Sequence, residues 1–403
     1  MKFLRKSLEK IEPKFEKGGP LERFYPLFEA ADTFLFTPPT VTRSGAHVRD
    51  GVDLKRVMIT VVYALIPAIL MAMYNTGLQI HRTVAAGGTT LDNWQTAAFE
   101  ATGLPLSPES ILACMTHGAL YFVPVMTVTY AVGGLFEVMF CVVRKHEVNE
   151  GLLVTGMLIP LTMPATVPYW QLALGVIFGV VIGKEIFGGT GMNFLNPALT
   201  ARAFLFFAYP GQLSGEVWVA ATRPDGVSGA TWLASVAEGS GHLAGATFWD
   251  AFLGTIPGSM GETSTLACLL GAALLLATRI AAWQTMLGVT VGTAIMAAAL
   301  NALGSSATPM VNLPWYWHFV LGGWAFGTVF MATDPVSSAF TARGKLIYGA
   351  LIGVLCVLIR CVNPAYPEGM MLAILFLNMF APLIDHYVIA ANKRRRTLRY
   401  AQS

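Results

Sequence analysis

Residues 175–198 read GVIFGVVIGKEIFGGTGMNFLNPA and residues 349–365 read GALIGVLCVLIRCVNPA. In both stretches, two glycines four residues apart precede an Asn-Pro-Ala triplet, and an apolar run follows the triplet. Pro160 lies 15 residues before the first glycine of one stretch, and Pro335 lies 14 residues before that of the other. This shared order predicts an internal repeat that includes a proline-broken apolar helix.

The sequence around these motifs has the composition of a membrane protein. Of its 403 residues, 55% are hydrophobic and 12% are charged, whereas about 25% of the residues of an ordinary soluble domain carry charge. A soluble enzyme is therefore not expected, and the small net charge of +3 implies no nucleic-acid partner. The five cysteines are scattered and form no CxxC pair, and the histidines show no metal-ligand spacing, so no metal centre is expected.

Ten apolar runs predict an all-α polytopic membrane protein with about ten transmembrane helices. The runs are 57–74, 118–143, 152–163, 168–187, 197–209, 264–279, 283–303, 318–333, 346–362 and 370–390. Prolines and glycines interrupt the region 151–209, so three short crossings fit it best.

The distribution of Lys and Arg predicts the orientation of the chain. Residues 1–56 hold 11 of the 26 basic residues, which places the N-terminus in the cytoplasm by the positive-inside rule. Residues 210–262 hold one basic residue, Arg223, against five acidic ones, which places this loop outside. The expected domains are a cytoplasmic segment (1–56), a first five-helix repeat (57–209), a periplasmic loop (210–262), a second five-helix repeat (263–390) and a basic cytoplasmic tail (391–403).

Five crossings per repeat, an odd number, place the two repeats in opposite orientations. Inverted repeats with broken helices commonly hold a ligand or ion site near the membrane midplane. The alternative is that the two motifs arose independently, because glycines four residues apart also allow close helix packing without any ligand.

Ionisable residues inside or directly after apolar runs are candidates for an ion pathway, because a charge in hydrocarbon is costly. They include Lys184, Glu185, Arg202 and Arg360. Three further acidic residues are the main candidates. They are Glu137, Asp334 and Asp385. Each also has a structural explanation. Glu137 can pair with a base, Asp334 can cap a half-helix at Pro335, and Asp385 can reach the membrane interface.

The loop 210–262 contains Asp225-Gly-Val-Ser-Gly-Ala-Thr231. Glycine and serine favour a tight turn in an accessible loop, so the turn is expected to present an unhindered Thr231 hydroxyl beside a carboxylate. Such a hydroxyl can accept a transferred group. Composition alone leaves the alternative of an ordinary loop open.

This heptapeptide resembles the acceptor motif at which a flavin transferase attaches FMN to a threonine through a phosphoester. The chain around it resembles the family of B subunits of the sodium-translocating NADH:quinone oxidoreductases (Na⁺-NQR) nearly from end to end. The resemblance rests on residues 44–56 (SGAHVRDGVDLKR), 142–151 (VVRKHEVNEG), 184–207 (KEIFGGTGMNFLNPALTARAFLFF), 331–337 (MATDPVS) and 363–372 (NPAYPEGMML).

The resemblance implies a fold like that of the urea transporters and a place in a translocase, an NADH:ubiquinone reductase that exports Na⁺. It implies covalent FMN at Thr231, with Asp225, Ser228 and Gly229 as motif residues, and a noncovalent riboflavin. It also implies at least part of the ubiquinone site. Because the flavin transferase works outside the bacterial inner membrane, the Thr231 loop must face outward, as the charge distribution independently predicts.

No nucleotide-binding fingerprint is present, because Gly188-Gly189-Thr190-Gly191 follows no strand and no GxxxxGK occurs. NADH is therefore expected to bind another subunit, and a further subunit is expected to carry a second FMN. Two other functions stay open. One is the D subunit of an Rnf-type electron-transport complex, which shares the flavinylation motif, and the other is a secondary transporter without a redox role.

Two regions are candidates for the remaining ligands. Riboflavin is expected near Asn193 and Asn196, where glycines and a proline predict unwound backbone with free hydrogen-bonding groups, unless the Asn-Pro-Ala triplet at Asn196 only caps a helix. The ubiquinone head is expected where Gly133, Gly134 and Glu137 of the second run meet the aromatic segment 24–36. That segment equally suits an interfacial anchor or a docking strip for a neighbouring subunit.

Overall fold

The computed structural model describes residues 8, 10–15, 18–35, 54–145, 148, 150–224, 228–239, 247–304, 308–363 and 366–400. The α-helices are α1 (Tyr25–Leu35), α2 (Leu54–Ala85), α3 (Trp94–Ala101), α4 (Ile111–Arg144), α5 (Gly151–Leu161), α6 (Tyr169–Ile177), α7 (Pro197–Ala208), α8 (Pro210–Leu213), α9 (Trp232–Ala237), α10 (Phe248–Leu253), α11 (Thr265–Ala277), α12 (Trp283–Leu303), α13 (Trp324–Phe326), α14 (Ala342–Val362) and α15 (Met370–Tyr400). The two-residue strands β1 (Thr89–Thr90) and β2 (Ala221–Thr222) pair antiparallel.

The prediction of an all-α polytopic membrane protein is confirmed. Among the described residues, six helical segments are long and apolar enough to cross a membrane: Arg56–Ala85, Ile111–Arg144, Tyr169–Phe187, Trp283–Leu303, Ala342–Val362 and Met370–Arg399. Three shorter apolar helices are α5, α7 and α11. Helices α2 and α4 run well beyond the predicted apolar runs, to 32 and 34 residues, because polar residues at their ends are buried against each other. His81 of α2, for example, contacts His117 of α4 at 3.2 Å between ring nitrogens.

The apolar run 318–333 is a series of short pieces and not one helix. It contains the end of a 3₁₀ turn (Trp315–Phe319), then α13, then a π-helical turn (Gly327–Met331). Gly322 has a φ of +65°, which glycine adopts without steric cost, and it separates the first turn from α13. A second π-helical turn (Phe178–Ile182) continues α6.

The glycine pairs of the predicted repeat lie at helix contacts. A Cβ added to Gly349 or Gly353 of α14 would collide with the backbone carbonyls of Thr285 and Val289 in α12. A Cβ at Gly179 would lie 2.6 Å from the Cβ of Ala201 in α7. Close helix packing therefore explains both pairs, and the opposite orientation of the two repeats stays a prediction.

The first Asn-Pro-Ala triplet begins a helix. The Asn196 side-chain oxygen accepts hydrogen bonds from the backbone N–H groups of Ala198 (3.0 Å) and Leu199 (3.2 Å). Pro197 occupies the first helical position, where a missing N–H is harmless. The alternative that this asparagine caps a helix is thus confirmed. In the second triplet, Asn363 follows the end of α14, and residues 364 and 365 lie outside the described residues.

Part of the loop 210–262 folds onto the helices. Leu233 of α9 is buried in a cluster that includes Trp317 and Val357. At the start of α10, Thr247 and Asp250 cap each other reciprocally. The hydrogen bond from the Thr247 hydroxyl lowers the pKa of the Asp250 carboxyl. Leu233 lies two residues after Thr231, so its burial holds the start of α9 against the helices.

Candidate functional site

Residues that are far apart in the sequence line one small cavity. Its lining includes Lys184, Asn193, Asn196, Thr333 and Asp334. The two asparagines proposed for riboflavin therefore share one site with an acid of the proposed ion pathway. The cavity volume is about 80 Å³, whereas pockets for ligands and cofactors hold roughly 300–1,000 Å³. As it stands, the cavity has room for a few water molecules or an ion and not for a flavin ring.

The two asparagines are already bonded to the backbone. Asn193 is 6% exposed, and its amide nitrogen donates to the Leu195 carbonyl at 2.9 Å. Asn196 is 3% exposed and caps α7 as described above. A ligand that used these groups would have to replace internal hydrogen bonds.

Asp334 binds its own turn. One carboxylate oxygen accepts from the Val336 N–H at 3.2 Å, and the other accepts from the Ser337 hydroxyl at 2.7 Å. These bonds support the non-helical stretch after the π-helical turn. Asp334 was predicted to cap the N-terminus of a half-helix. In the structure it instead stabilises a turn at the helix break.

Glu137 forms a buried ion pair with Lys184. The Lys184 ammonium lies 2.9 Å from a Glu137 carboxylate oxygen, and both side chains are less than 5% exposed. The same ammonium lies 3.5 Å from Glu185 and donates to the Thr190 hydroxyl at 3.3 Å. Glu137 thus pairs with a base, and this base comes from the segment after α6.

Asp385 of α15 anchors the start of α14. Its carboxylate accepts from the backbone N–H groups of Phe340 and Thr341 and from the Thr341 hydroxyl at 2.6 Å. Thr341 in turn is the N-cap of α14. Asp385 is 7% exposed, so this anchoring role replaces the alternative of a side chain that reaches the interface.

The expected cleft at Gly133 and Gly134 is filled. A Cβ at Gly133 would lie 3.0 Å from a methyl carbon of Leu152 in α5 and 3.5 Å from Val176 in α6. A Cβ at Gly134 would meet Leu152 at 3.6 Å, an ordinary contact. The glycines therefore let α5 pack closely against α4.

A larger cavity lies about two turns further along α4. Its lining includes Phe15, Phe24 and Tyr25 of the N-terminal segment and Val142 and Val143 of α4, and its volume is about 1220 Å³. The N-terminal segment and the second span thus meet as expected, but they meet near the end of α4. Residue 36 of the aromatic segment lies outside the described residues.

Thr231 is buried, whereas the sequence predicts an unhindered hydroxyl at this position. It is 7% exposed and is the N-cap of α9, where its hydroxyl oxygen accepts from the Ala234 N–H at 3.2 Å. The hydroxyl is held because a helix start needs an acceptor for its free N–H groups. Asp225 lies outside the described residues, so the expected carboxylate neighbour is not placed.

The other motif residues hold the segment in place. The Ser228 hydroxyl donates to Glu216 at 3.3 Å and accepts from the Ala230 N–H at 3.1 Å. Gly229 lies so close to the Arg223 guanidinium that a Cβ would collide with it. Any side chain at position 229 would therefore displace Arg223.

Two buried arginines among the candidates for an ion pathway have structural contacts. Arg202 of α7 lies 3.3 Å from a Glu262 carboxylate oxygen. Arg360 of α14 is 1% exposed and donates to the carbonyls of His318, Leu321 and Glu368. An arginine inside an apolar run indicates that buried partners surround it. These partners are distant in the sequence, so sequence spacing does not identify them. Among the described residues, no group of three or more His, Cys, Asp or Glu is arranged to hold a metal ion.

Known sequences match this chain over nearly its whole length. The profile of the NQR2, RnfD, RnfE family matches residues 41–394. The chain is 58% identical over 401 residues to a protein of Chromohalobacter salexigens named as the B subunit of Na(+)-translocating NADH-quinone reductase, a match that covers 99% of this chain and 97% of the relative. Proteins of the same name are 56% identical in Pseudomonas aeruginosa strain PAO1 and 53% identical in Klebsiella pneumoniae strain 342, each over 98% of this chain and 99% of the relative.

Proposed function

Because the chain belongs to the NQR2, RnfD, RnfE family, we propose that it is the membrane-embedded B subunit of a sodium-exporting NADH:ubiquinone reductase. The subunit carries covalent FMN at Thr231 and a noncovalent riboflavin, and it passes electrons to ubiquinone while the complex exports Na⁺. The observation that carries the proposal is the similarity over nearly the whole chain to relatives named as this subunit. The subunit lies in a bacterial inner membrane with both termini in the cytoplasm, next to an NADH-binding subunit and a second FMN subunit.

The alternative functions have weaker support. The family description includes RnfD, so membership alone is compatible with an Rnf-type subunit. Identities of 53 to 58% to proteins named as the B subunit of the reductase favour the quinone-reducing complex. A secondary transporter without a redox role would not need the acceptor sequence that ends at Thr231.

The Thr231 hydroxyl supplies the oxygen for the flavin attachment. The flavin transferase joins this oxygen to the flavin-side phosphorus of a flavin dinucleotide. The bond from that phosphorus to the bridging oxygen of the diphosphate breaks, the nucleoside monophosphate leaves, and a base takes the hydroxyl proton. No electron is transferred in this step. When bound, FMN supplies one- and two-electron redox chemistry. The hydroxyl must first leave its cap position at Ala234, so attachment requires α9 to open locally.

Replacing Thr231 tests the attachment. Thr231→Ala removes the acceptor oxygen and the helix cap, and the lost cap costs roughly 0.5–2 kcal/mol, so the protein should still fold. Thr231→Ser keeps a hydroxyl that can cap and accept. We expect a flavin band under ultraviolet light on a denaturing gel for the wild type, a weaker band for the serine variant and none for the alanine variant.

Two other outcomes would contradict the proposal. A covalent flavin retained in Thr231→Ala, measured as intact mass, would move the attachment elsewhere. A wild-type chain produced with its flavin transferase and still without a flavin band would return the protein to the transporter alternative.

Riboflavin does not fit the cavity at Asn193 and Asn196 in the described conformation, because about 80 Å³ is too small for its ring system. Its placement there requires α2, α5 and α11 to separate, since residues of all three line the cavity. The asparagines and Lys184 would then offer polar groups to the ring.

For ubiquinone, the cavity at Phe24 and Val143 supports the proposal better than the filled space at Gly133. Its volume is about 1220 Å³, and its aromatic and aliphatic lining suits an apolar tail. Arg23 and Lys145 in the same lining offer donors for a quinone carbonyl. Glu137 lies about two turns away along α4, where it is paired with Lys184.

A further inference from the structure

The segment that carries Thr231 is connected to an ion pair between Arg223 and Glu216. One terminal nitrogen of Arg223, Nη2, lies 2.8 Å from a Glu216 carboxylate oxygen. The other carboxylate oxygen accepts from the Ser228 hydroxyl. The guanidinium and the residues before Thr231 therefore form one connected unit.

The second terminal nitrogen of Arg223, Nη1, finds no acceptor within the part of the chain that the structure describes. It is enclosed against Gly229. An enclosed donor without an acceptor is unfavourable, and more so when the group is charged. Arg223 is also the only Lys or Arg of residues 210–262. A cationic N–H group thus lies beside Gly229, two residues before the proposed attachment threonine.

The cavity that Thr231 helps to line cannot accept a phosphate. That cavity is lined by Thr231, Ser259, Glu262 and Glu368 and holds about 20 Å³, which is room for about one water molecule. The two glutamates would also repel an anion. Volume and charge therefore both exclude this direction for a phosphoester on Thr231.

We propose that Arg223 binds the phosphodiester that joins the flavin to Thr231. This inference rests on the proposed FMN attachment. The ester brings a single negative charge and two unesterified oxygens to the segment, and the planar arginine fork binds such oxygens well. Glu216 holds Arg223 through Nη2, so Nη1 is the nitrogen that meets the phosphate. Arg223 is a positioning residue, since it fixes the linkage and not the flavin ring.

The test compares arginine variants of the full chain purified with its covalent flavin in phosphate-free detergent. The ³¹P NMR resonance that is present in the wild type and absent from Thr231→Ala is assigned to the phosphodiester. We expect Arg223→Gln to shift this resonance by more than its linewidth, because the guanidinium contact is lost. The matched control is Arg82→Gln, which removes an arginine that bonds to the Thr255 carbonyl of the same loop. It should leave the resonance in place.

Each other outcome is also decisive. An unshifted resonance in Arg223→Gln overturns the inference while leaving the attachment intact, whereas a wild type without the resonance overturns the attachment itself. If Arg223→Gln carries no flavin, Glu216→Gln separates the causes. Normal labelling in Glu216→Gln supports a phosphate-binding arginine, and lost labelling there shows that the ion pair only folds the segment.

Discussion

At the scale of single residues, variants of the Glu137 and Lys184 pair test whether Glu137 acts in the ion pathway or only stabilises the fold. Removing one partner of a buried ion pair typically costs about 3–5 kcal/mol, and Glu137→Gln leaves Lys184 with only its longer ionic contact to Glu185, at 3.5 Å. We expect Glu137→Gln to lower both the melting temperature in detergent and sodium-dependent quinone reduction. In the double variant Glu137→Gln with Lys184→Met, the lysine charge is gone and Glu185 keeps Arg144 at 3.9 Å, so stability should recover in part while sodium activation stays low.

The double variant is the informative one. Normal sodium activation in it would remove Glu137 from the proposed ion pathway and leave it as the counter-ion of Lys184. His386→Gln serves as a control, because His386 is an exposed side chain beside the anchor Asp385. It should change neither quantity.

The same pair shows which part of a site can be predicted from sequence. A glutamate inside an apolar run was identified as needing a partner or a function, because its cost in hydrocarbon depends only on its type and position. Its partner could not be identified, since Lys184 is 47 residues away, just after the π-helical turn, and contacts it only through tertiary packing. Asp385 and Thr341 show the same limit across 44 residues.

At the scale of helices, Gly133 and Gly134 differ although they are neighbours in sequence. Gly133→Val should force Leu152 aside, and overpacking of this kind costs about 1–3 kcal/mol. Gly134→Ala should be tolerated or slightly stabilising, since the alanine Cβ has ordinary space and alanine favours a helix by about 1 kcal/mol over glycine. Melting temperatures of the two variants in detergent check this difference.

A rescue variant distinguishes packing from quinone binding. Adding Leu152→Ala to Gly133→Val makes room for the new side chain and should restore stability. The KM for ubiquinone should then be near that of the wild type. A KM that stays raised in the rescued protein would return the second span at Gly133 to the quinone site.

Helices were predicted well where composition alone decides, and less well where the backbone is broken. The ten apolar runs all contain helix, because burial in a membrane requires internal backbone hydrogen bonds. The run 318–333 was predicted as one crossing, yet Gly322 divides it and a π-helical turn follows. Continuous membrane helices can be equally rich in glycine, so the sequence signals neither the break at Gly322 nor the π-helical turn.

At the scale of the whole molecule, the orientation in the membrane is the prediction that ties the cofactor to the fold. The positive-inside rule places the Thr231 loop outside and the C-terminal end of α15 inside. All five native cysteines are buried and free, so single introduced cysteines report accessibility with little background. Glu238 follows α9 in the loop and Arg395 lies in the last turns of α15, and both are exposed. We expect a membrane-impermeant thiol reagent to label Glu238→Cys in intact cells and to label Arg395→Cys only after the membrane is opened. Protection of Glu238→Cys in intact cells would place Thr231 on the side away from an external flavin transferase and would contradict the attachment. Labelling of both positions from the same side would contradict an odd number of crossings between them, and with it the inverted repeats.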